Sequence, residues 1–517
     1  DEDSDDGTTR DLRAIPLPMA LKRAVNFGGG VQSYFLFLRF LVVLNFFSFL
    51  LIAGFVIIPS IVFRSVGFIE YTYLFYGYYN NTMVEGMNFS YNIPLAYLST
   101  AAFYLLFCLV CIIAMGTTAR VVVATGDSSE GNYSMLVFTG WDFGSNGNQA
   151  TKLKQQNIYY RLQVDLEEEM IKKKSSALTQ RQKVCLYSAR VVLFTLTLGF
   201  IGAALTGIFF ATNFSQGLLY EYLPSIVITG ANFIVPLLND QIAPFEQYSP
   251  SVTVVLALLA VVLRLVSLVI LLYTLWRQIT CDETPDECAL CCWETRVGQE
   301  MYKLTLFDLI VNIAVLMLVE FPRRMIVDNW HNKLTQWVGR QEFVVPYNVL
   351  GLVYGQTVVW TGAFFCPLLP LINTFKFIIL FYTKRITLFS NCRPAVKTFR
   401  STTSSFFFSG ILLLGLTLAS VVMIYSVAIH PSMACGPFRF LTSMWDVVPK
   451  SISKLSQTTR EFLFFLGSQS FSIPLFVLSL ILCYIVALAT VYKKSVTLLK
   501  TQLKLDKQFL VRQIGRL

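Results

Sequence analysis

Long, almost purely apolar stretches recur along this chain, and each is close to the length of a membrane-spanning helix. A helix needs roughly 20 residues to cross about 30 Å of hydrocarbon. Such stretches lie at 37–62, 94–115, 189–210, 222–238, 252–276, 304–320, 346–366, 370–388, 406–429 and 471–491. The pattern predicts an all-α polytopic membrane protein with about ten transmembrane helices.

Basic residues predict which side of the membrane each loop faces. With the N-terminus inside, most of the 41 lysines and arginines fall in segments on the inner side, as expected for cytoplasmic loops. Both termini are therefore predicted to be cytoplasmic. Sequons at Asn80 and Asn88 fall in the first outer loop, so this protein of the plasma membrane or a secretory-pathway membrane is predicted to be glycosylated there.

The same pattern divides the chain into five segments. They are a cytoplasmic N-terminal segment (1–36), the first two helices with their outer loop (37–115), a cytoplasmic loop (116–188), the remaining eight helices (189–491) and a basic cytoplasmic tail (492–517). Within the loop, 150–187 alternates apolar and charged residues and predicts an amphipathic helix that binds a partner or lipid. A similar interfacial helix is predicted around 326–337.

Composition narrows the possible functions. The chain is 55% hydrophobic and only 14% charged, whereas soluble domains are about a quarter charged. The net charge of +10 follows from the basic inner loops, so no nucleic-acid partner is predicted. Two histidines and no phosphate-binding glycine loop predict no metal, no cofactor and no enzymatic activity.

Several cysteines fall in predicted outer loops, where oxidising conditions let disulfides persist. The disulfide candidates are Cys281, Cys288, Cys291, Cys292 and Cys435. Zinc binding by the cluster of Cys288, Cys291 and Cys292 is the weaker alternative, because only one histidine lies in the outer loops and no second CxxC pair completes a tetrahedral set.

Polar side chains interrupt the apolar stretches mainly in the fourth to seventh predicted helices. Thr305, Asp308 and Asn312 are spaced three and four residues apart, so they share one face of the sixth helix. An ionisable group at mid-membrane costs about 2.5 to 3.5 kcal/mol and commonly marks an ion pathway. We therefore predict a pore lined by Asn232, Asn239, Asp240, Thr305, Asp308, Asn312, Asn348 and Gln356. Glycines that permit close packing accompany them at Gly351, Gly355 and Gly362.

Arg264 in the fifth helix is the predicted charge partner of these acids. A structural alternative stays open, in which Arg264 neutralises Asp308 or Asp240 in a dry network and the amides hold helices together. The concentration of polar residues in four consecutive helices favours a lined route, because polar residues that only hold helices together would be spread more evenly.

The entrance to the sixth helix reads CWETRVGQEMYKL at 292–304, followed by Phe307 and Asp308. This motif resembles the signature of the transmembrane channel-like (TMC) family, and further similarity runs through 236–250, 348–367 and 435–438. The signature residues are Cys292, Trp293, Glu294, Thr295, Gly298, Gln299 and Glu300. The resemblance covers most of the chain, including all ten predicted helices.

The resemblance implies an architecture similar to anoctamin and hyperosmolality-gated channels, with a lipid-bordered groove formed by helices four to seven. It also implies a homodimer, a pore aspartate at Asp308, and an EF-hand calcium-binding partner at 150–187. Auditory members carry an acidic residue where this chain has Val344. A non-auditory member with weaker calcium permeation is therefore expected. Because Arg264 and Lys376 both lie within predicted helices, weak selectivity or anion passage stays open.

Three functions remain as hypotheses. The first is an ion channel or pore-forming subunit, with membrane tension as a candidate stimulus for opening, in which groove residues replace part of the hydration shell of an ion. The second is a lipid scramblase, since an open groove that accepts ions can accept lipid headgroups. The third is a non-conducting scaffold or regulatory subunit that recruits partners through its cytoplasmic helices.

Overall fold

The computed structural model is predominantly helical in the residues that it describes. These are 29–62, 74–79, 83–85, 90–126, 180–213, 222–232, 264–273, 292–329, 341–343, 345–393, 401–432 and 435–468, with isolated positions in 155–173 and 471–496. By contact the chain divides into two units, Asp1–Met444 and Trp445–Leu517.

The first unit contains nine helices among its described residues, and each overlaps one of the first nine predicted apolar stretches. They are α1 (Gly29–Ile52, continuing through a π-helical turn at Ala53–Ile57 into Ile58–Val62), α2 (Ile93–Gly126), α3 (Gln180–Asn213), α4 (223–232) and α5 (Arg264–Tyr273). The others are α6 (Trp293–Val315, continuing through a π-helical turn at Leu316–Glu320 into Phe321–Asn329), α7 (Val345–Gly362), α8 (Leu369–Ile386, followed by a π-helical turn at Thr387–Asn391) and α9 (Ser401–Ala428).

Four of the described helical segments are long and apolar enough to cross a bilayer: Val31–Ser60, Ile93–Gly116, Trp293–Asn329 and Phe408–Ala428. The outward surface of these segments is apolar, since the side chains of Phe103 and Ile424 are 62% and 71% exposed. In contrast, the polar side chains of Gln356 and Lys376 on other helices are 0% and 2% exposed. Many large apolar side chains exposed on long apolar helices are typical of a surface that faces lipid rather than water. The chain is therefore a multi-pass membrane protein.

Helix packing centres on α7. It lies against α6 and α9, while α8 packs on α1 and α9 packs on α2. The apolar core between them includes Tyr34, Leu38, Val353, Phe377 and Leu412. Gly362 lets α7 approach closely, since a Cβ there would lie 2.7 Å from Cβ of Met301 on α6. The predicted role of this glycine in close packing is thus confirmed.

Loops that the sequence places on the same side of the membrane meet in the structure. At one end, the 3₁₀ turn Tyr76–Tyr78 contacts both the start of α6 and the loop after α7, where the Tyr76 amide donates to the carbonyl of Phe365 at 3.0 Å. At another, strand β3 (Gln341–Glu342) pairs in parallel with β4 (Cys392–Arg393). Earlier in the chain, β1 (Met83–Glu85) pairs antiparallel with β2 (Ser90–Asn92).

The second unit contains two short helices, α10 (Val447–Ser453) and α11 (Gln457–Gly467). Positions 471, 474, 477, 478, 481 and 485 are also helical, and they lie within the tenth predicted stretch.

The structure changes the predicted boundaries of the sixth helix. The predicted span at 304–320 is the middle of a continuous helix from Trp293 to Asn329. Residues 326–329 therefore belong to α6, and the rest of the predicted interfacial segment, 330–337, lies outside the described residues. Hydropathy detects only the apolar part of a helix, whereas backbone hydrogen bonds continue into its polar ends.

Candidate functional site

The polar face predicted on α6 is present in the structure. Thr305 is buried and its hydroxyl donates to the carbonyl of Met301 at 2.9 Å. The amide of Asn312 donates to the Asp308 carbonyl oxygen at 2.7 Å and lies 3.5 Å from its carboxylate oxygen Oδ1. These side-chain bonds to the preceding turn satisfy the polar groups locally and leave Oδ2 of Asp308 available for another partner.

That partner is Lys376 on α8. Its Nζ atom lies 2.6 Å from Oδ2 of Asp308, and the lysine side chain is 2% exposed while that of Asp308 is 25% exposed. Because the Lys376 ammonium is buried, removing its carboxylate partner would leave an uncompensated charge in the interior, which is strongly unfavourable.

Two glycines of α7 make room for the basic groups. A Cβ atom at Gly355 would lie 3.1 Å from Nζ of Lys376 and 3.9 Å from Oδ2 of Asp308. One turn earlier, a Cβ at Gly351 would lie 3.5 Å from Nη1 of Arg264. Both cations therefore pack against the face of α7 that carries Gly351 and Gly355.

Arg264, the predicted charge partner, makes no ion pair with Asp308. Its Nη2 atom donates to the backbone carbonyl of Asn232 on α4 at 3.1 Å, although the guanidinium remains within electrostatic range of Asp308. The prediction is corrected to Lys376 because local spacing along α6 does not reveal that α8 is its neighbour. We call Asp308, Lys376 and Arg264 the charged cluster.

Gln356 does not face this cluster. It is fully buried, its amide donates to Oδ1 of Asn45 on α1 at 3.2 Å, and its carbonyl oxygen accepts from Asn45 at 2.6 Å and from Asn373 on α8 at 3.3 Å. A helix turns about 100° per residue, so Gln356 is rotated by about 100° from the neighbouring Gly355. The pore assignment is replaced by the structural alternative, a network that joins α1, α7 and α8.

A second polar contact ties α4 to the start of α6. Glu300 is buried, accepts a hydrogen bond from the Ser225 hydroxyl at 3.1 Å and forms an ion pair with Lys303 at 2.9 Å. The Lys303 ammonium also lies 4.9 Å from the ring centre of Tyr222. Together these contacts fix the position of α4 beside α6.

The motif residues at the start of α6 hold loops together. Cys292 and Cys435 are paired as a disulfide with Cα atoms 5.8 Å apart, and the hydroxyl of Thr295 accepts from the backbone amide of Gly77 at 3.1 Å. The buried carboxylate of Glu294 accepts from the backbone amide of Ser432 at 2.9 Å and also from its hydroxyl.

Cys292, Glu294 and Cys435 are also the one group within the described ranges whose spacing could suit a metal ion. Both sulfur atoms are used in the disulfide, and a disulfide lacks the thiolates that bind metal. This group therefore does not form a metal site in the oxidised protein.

Sequence reasoning did not include Lys376 among the predicted site residues. The feature that could have identified it is a single lysine within an otherwise apolar stretch. Asn348 lies on the Gly355 face of α7, seven residues before it. The remaining predicted positions lie outside the described residues: Asn80, Asn88, Asn239, Asp240, Cys281, Cys288, Cys291 and Val344.

Comparison with known proteins places this site in a family. A family model described as "TMC domain" matches residues 292–402, which contain Asp308 and Lys376. The chain is 39% identical to "Voltage-gated chloride channel TMC4" of Homo sapiens, over 99% of this chain and 80% of that protein. It is 35% identical to "Transmembrane channel-like protein 8" of Homo sapiens, over 95% of this chain and 76% of that protein.

Proposed function

The chain belongs to the transmembrane channel-like (TMC) family of channel-type membrane proteins, and on that premise we propose that it is an ion channel that conducts chloride. Its ions pass the charged cluster of Asp308, Lys376 and Arg264. The relative named as a voltage-gated chloride channel supports the choice of ion.

The charge balance of the cluster carries the proposal. Among the residues that the structure describes, one carboxylate stands against two cations in this cluster, so the three side chains together carry one excess positive charge among apolar helices. A lasting charge of this kind is costly in a membrane interior unless it serves an ion or a counter-charge. It attracts a permeating anion and repels a permeating cation.

The route that we propose is the groove formed by helices four to seven of a ten-helix, anoctamin-like arrangement. Asn232 on α4, Arg264 on α5, Asp308 on α6 and Gly355 on α7 support it, because all four helices contribute to one polar region. Thr305 and Asn312 extend that region along α6.

Other predictions remain part of the proposal. They are cytoplasmic termini, a homodimer, glycosylation at Asn80 and Asn88, an EF-hand partner at 150–187 and opening by membrane tension. The name of the chloride-channel relative favours voltage as a second stimulus, so both stimuli belong in the first experiment.

The test is chloride flux in liposomes that contain the purified protein. We expect flux under voltage or stretch, and we expect Lys376→Gln to reduce it at least fivefold because the net charge of the cluster falls to zero. Thr417→Val is the matched control, since that hydroxyl is exposed on α9 and only donates to the carbonyl of Leu414 at 2.8 Å. Absence of flux in the wild-type protein would contradict the proposal, and lipid flipping in the same liposomes would favour the scramblase hypothesis.

A further inference from the structure

Three buried hydrogen-bond donors without an acceptor lie beside the charged cluster. They are Nδ2 of Asn232, Nε of Arg264 and the hydroxyl of Tyr354, and none of them has a hydrogen-bond partner among the residues that the structure describes. Asn232 is 9% and Tyr354 7% exposed. An unpaired buried polar group lowers stability, and most buried polar groups in native proteins have a hydrogen-bond partner, so three unpaired donors in one place are unusual.

The three groups are neighbours from three different helices. Nη2 of Arg264 on α5 donates to the carbonyl of Asn232 on α4 at 3.1 Å, which brings those two residues together. The hydroxyl of Tyr354 on α7 approaches the side chains of Asn232 and Ser267 without hydrogen-bond geometry. We call Asn232, Arg264 and Tyr354 the donor site.

The chemistry of the donor site selects its ligand. A guanidinium has no acceptor, the amide nitrogen of asparagine only donates, and a tyrosine hydroxyl can donate. A ligand that satisfies all three must accept hydrogen bonds, and the positive guanidinium favours one that is negative. Metal cations and ammonium groups are excluded by both requirements.

We propose that the donor site binds one small monovalent anion, a halide or pseudohalide, during permeation. This rests on the proposed function, because it identifies the groups that replace the hydration shell of the anion. Three donors replace only part of that shell, so weakly hydrated anions such as bromide and thiocyanate bind more tightly than chloride, while the larger gluconate is excluded.

Binding is measured on the purified full chain in nanodiscs by thermal unfolding. Sodium bromide or chloride replaces sodium gluconate at constant ionic strength, so nonspecific salt effects are matched. We expect a saturable rise in the unfolding temperature, with half-saturation at a lower concentration for bromide. Tyr354→Phe should raise both half-saturation concentrations about tenfold, and Asn232→Asp should abolish the rise because it adds a negative charge.

Tyr382→Phe is the matched control, because Tyr382 is half exposed on α8. An equal response to gluconate, an unchanged response in Tyr354→Phe, or no response at all would overturn the proposed donor site. The last result would mean that water or another part of this chain satisfies the donors.

The liposome experiment separates this proposal from the function on which it rests. A halide response without chloride flux would keep the binding site and reject the channel. Chloride flux with the same bromide-to-chloride permeability ratio in the wild-type protein and Tyr354→Phe would keep the channel and reject the site. We expect the ratio to fall toward one in the variant.

Discussion

The Nζ atom of Lys376 lies 2.6 Å from Oδ2 of Asp308, with the lysine buried and a quarter of the aspartate side chain exposed. The pair joins α6 to α8, and the guanidinium of Arg264 lies within range of the same carboxylate. The carboxylate of Asp308 therefore neutralises only one of the two cations, and the second leaves an excess positive charge in the cluster. This excess is the physical basis of the proposed anion preference.

The position of Lys376 depends on a missing side chain. Gly355→Ala would place a methyl group 3.1 Å from Nζ of Lys376, so the ammonium must shift by a few tenths of an ångström. We expect a change in single-channel conductance without loss of folded protein. Gly207→Ala is the control because its Cβ would meet nothing within 4 Å. Identical conductance in Gly355→Ala would contradict the close contact.

Gln356 should matter for stability rather than for selectivity. Gln356→Leu removes the acceptor of the Asn373 amide and the donor to Oδ1 of Asn45, whose own amide keeps the Leu41 carbonyl. Each unsatisfied buried group costs about 1–3 kcal/mol. We expect a clearly lower unfolding temperature with an unchanged reversal potential in the surviving channels. Gln457→Leu on the exposed face of α11 removes only a hydrogen bond to Glu461 at 3.1 Å and serves as control. A shifted reversal potential would return Gln356 to the pore.

The Cys292–Cys435 disulfide closes a separation of 143 residues. Cys292→Ser should destabilise the protein by about 2–4 kcal/mol, because the unfolded chain loses a long-range constraint. Thermal unfolding of the protein measures the loss, and Cys111→Ser, which alters a free cysteine, is the control. Peptide mapping without reduction should recover the two cysteines cross-linked, and alkylated Cys292 in that map would refute the pairing.

A buried hydrogen bond joins the two π-helical turns of α6 and α8. The hydroxyl of Thr387 donates to Oε2 of Glu320 at 2.6 Å, and both side chains are buried. π-Helical turns are frequent at functional sites, so we predict that Thr387→Val shifts the voltage or tension of half-activation while the reversal potential stays constant. Thr387→Ser keeps the hydroxyl and should behave like the wild-type protein. Equal shifts in both variants would point to packing instead.

Hydropathy located the helices because a run of apolar residues long enough to cross the bilayer is a local property of the sequence. The face of α6 that carries Thr305, Asp308 and Asn312 followed from helical periodicity alone. The π-helical turns were not predicted, since no residue pattern considered in the sequence indicates them.

Contacts between distant helices could not be read from spacing. Lys376 is 68 positions after Asp308 in sequence, and only the packing of α8 beside α6 brings them together. Gln356 was misplaced because it is eight residues after Asn348, which rotates it by about 80° around the helix. The glycine at 355 is the residue that shares the face of Asn348.

The reversal potential of chloride currents across a salt gradient tests the central claim most directly. In Lys376→Glu the cluster holds two carboxylates and one guanidinium, so we expect the preference to change from anions toward cations. The exchange of Asp308→Lys with Lys376→Asp keeps one net positive charge and should keep the anion preference. An unchanged reversal potential in Lys376→Glu, with currents as large as those of the wild-type protein, would contradict the account.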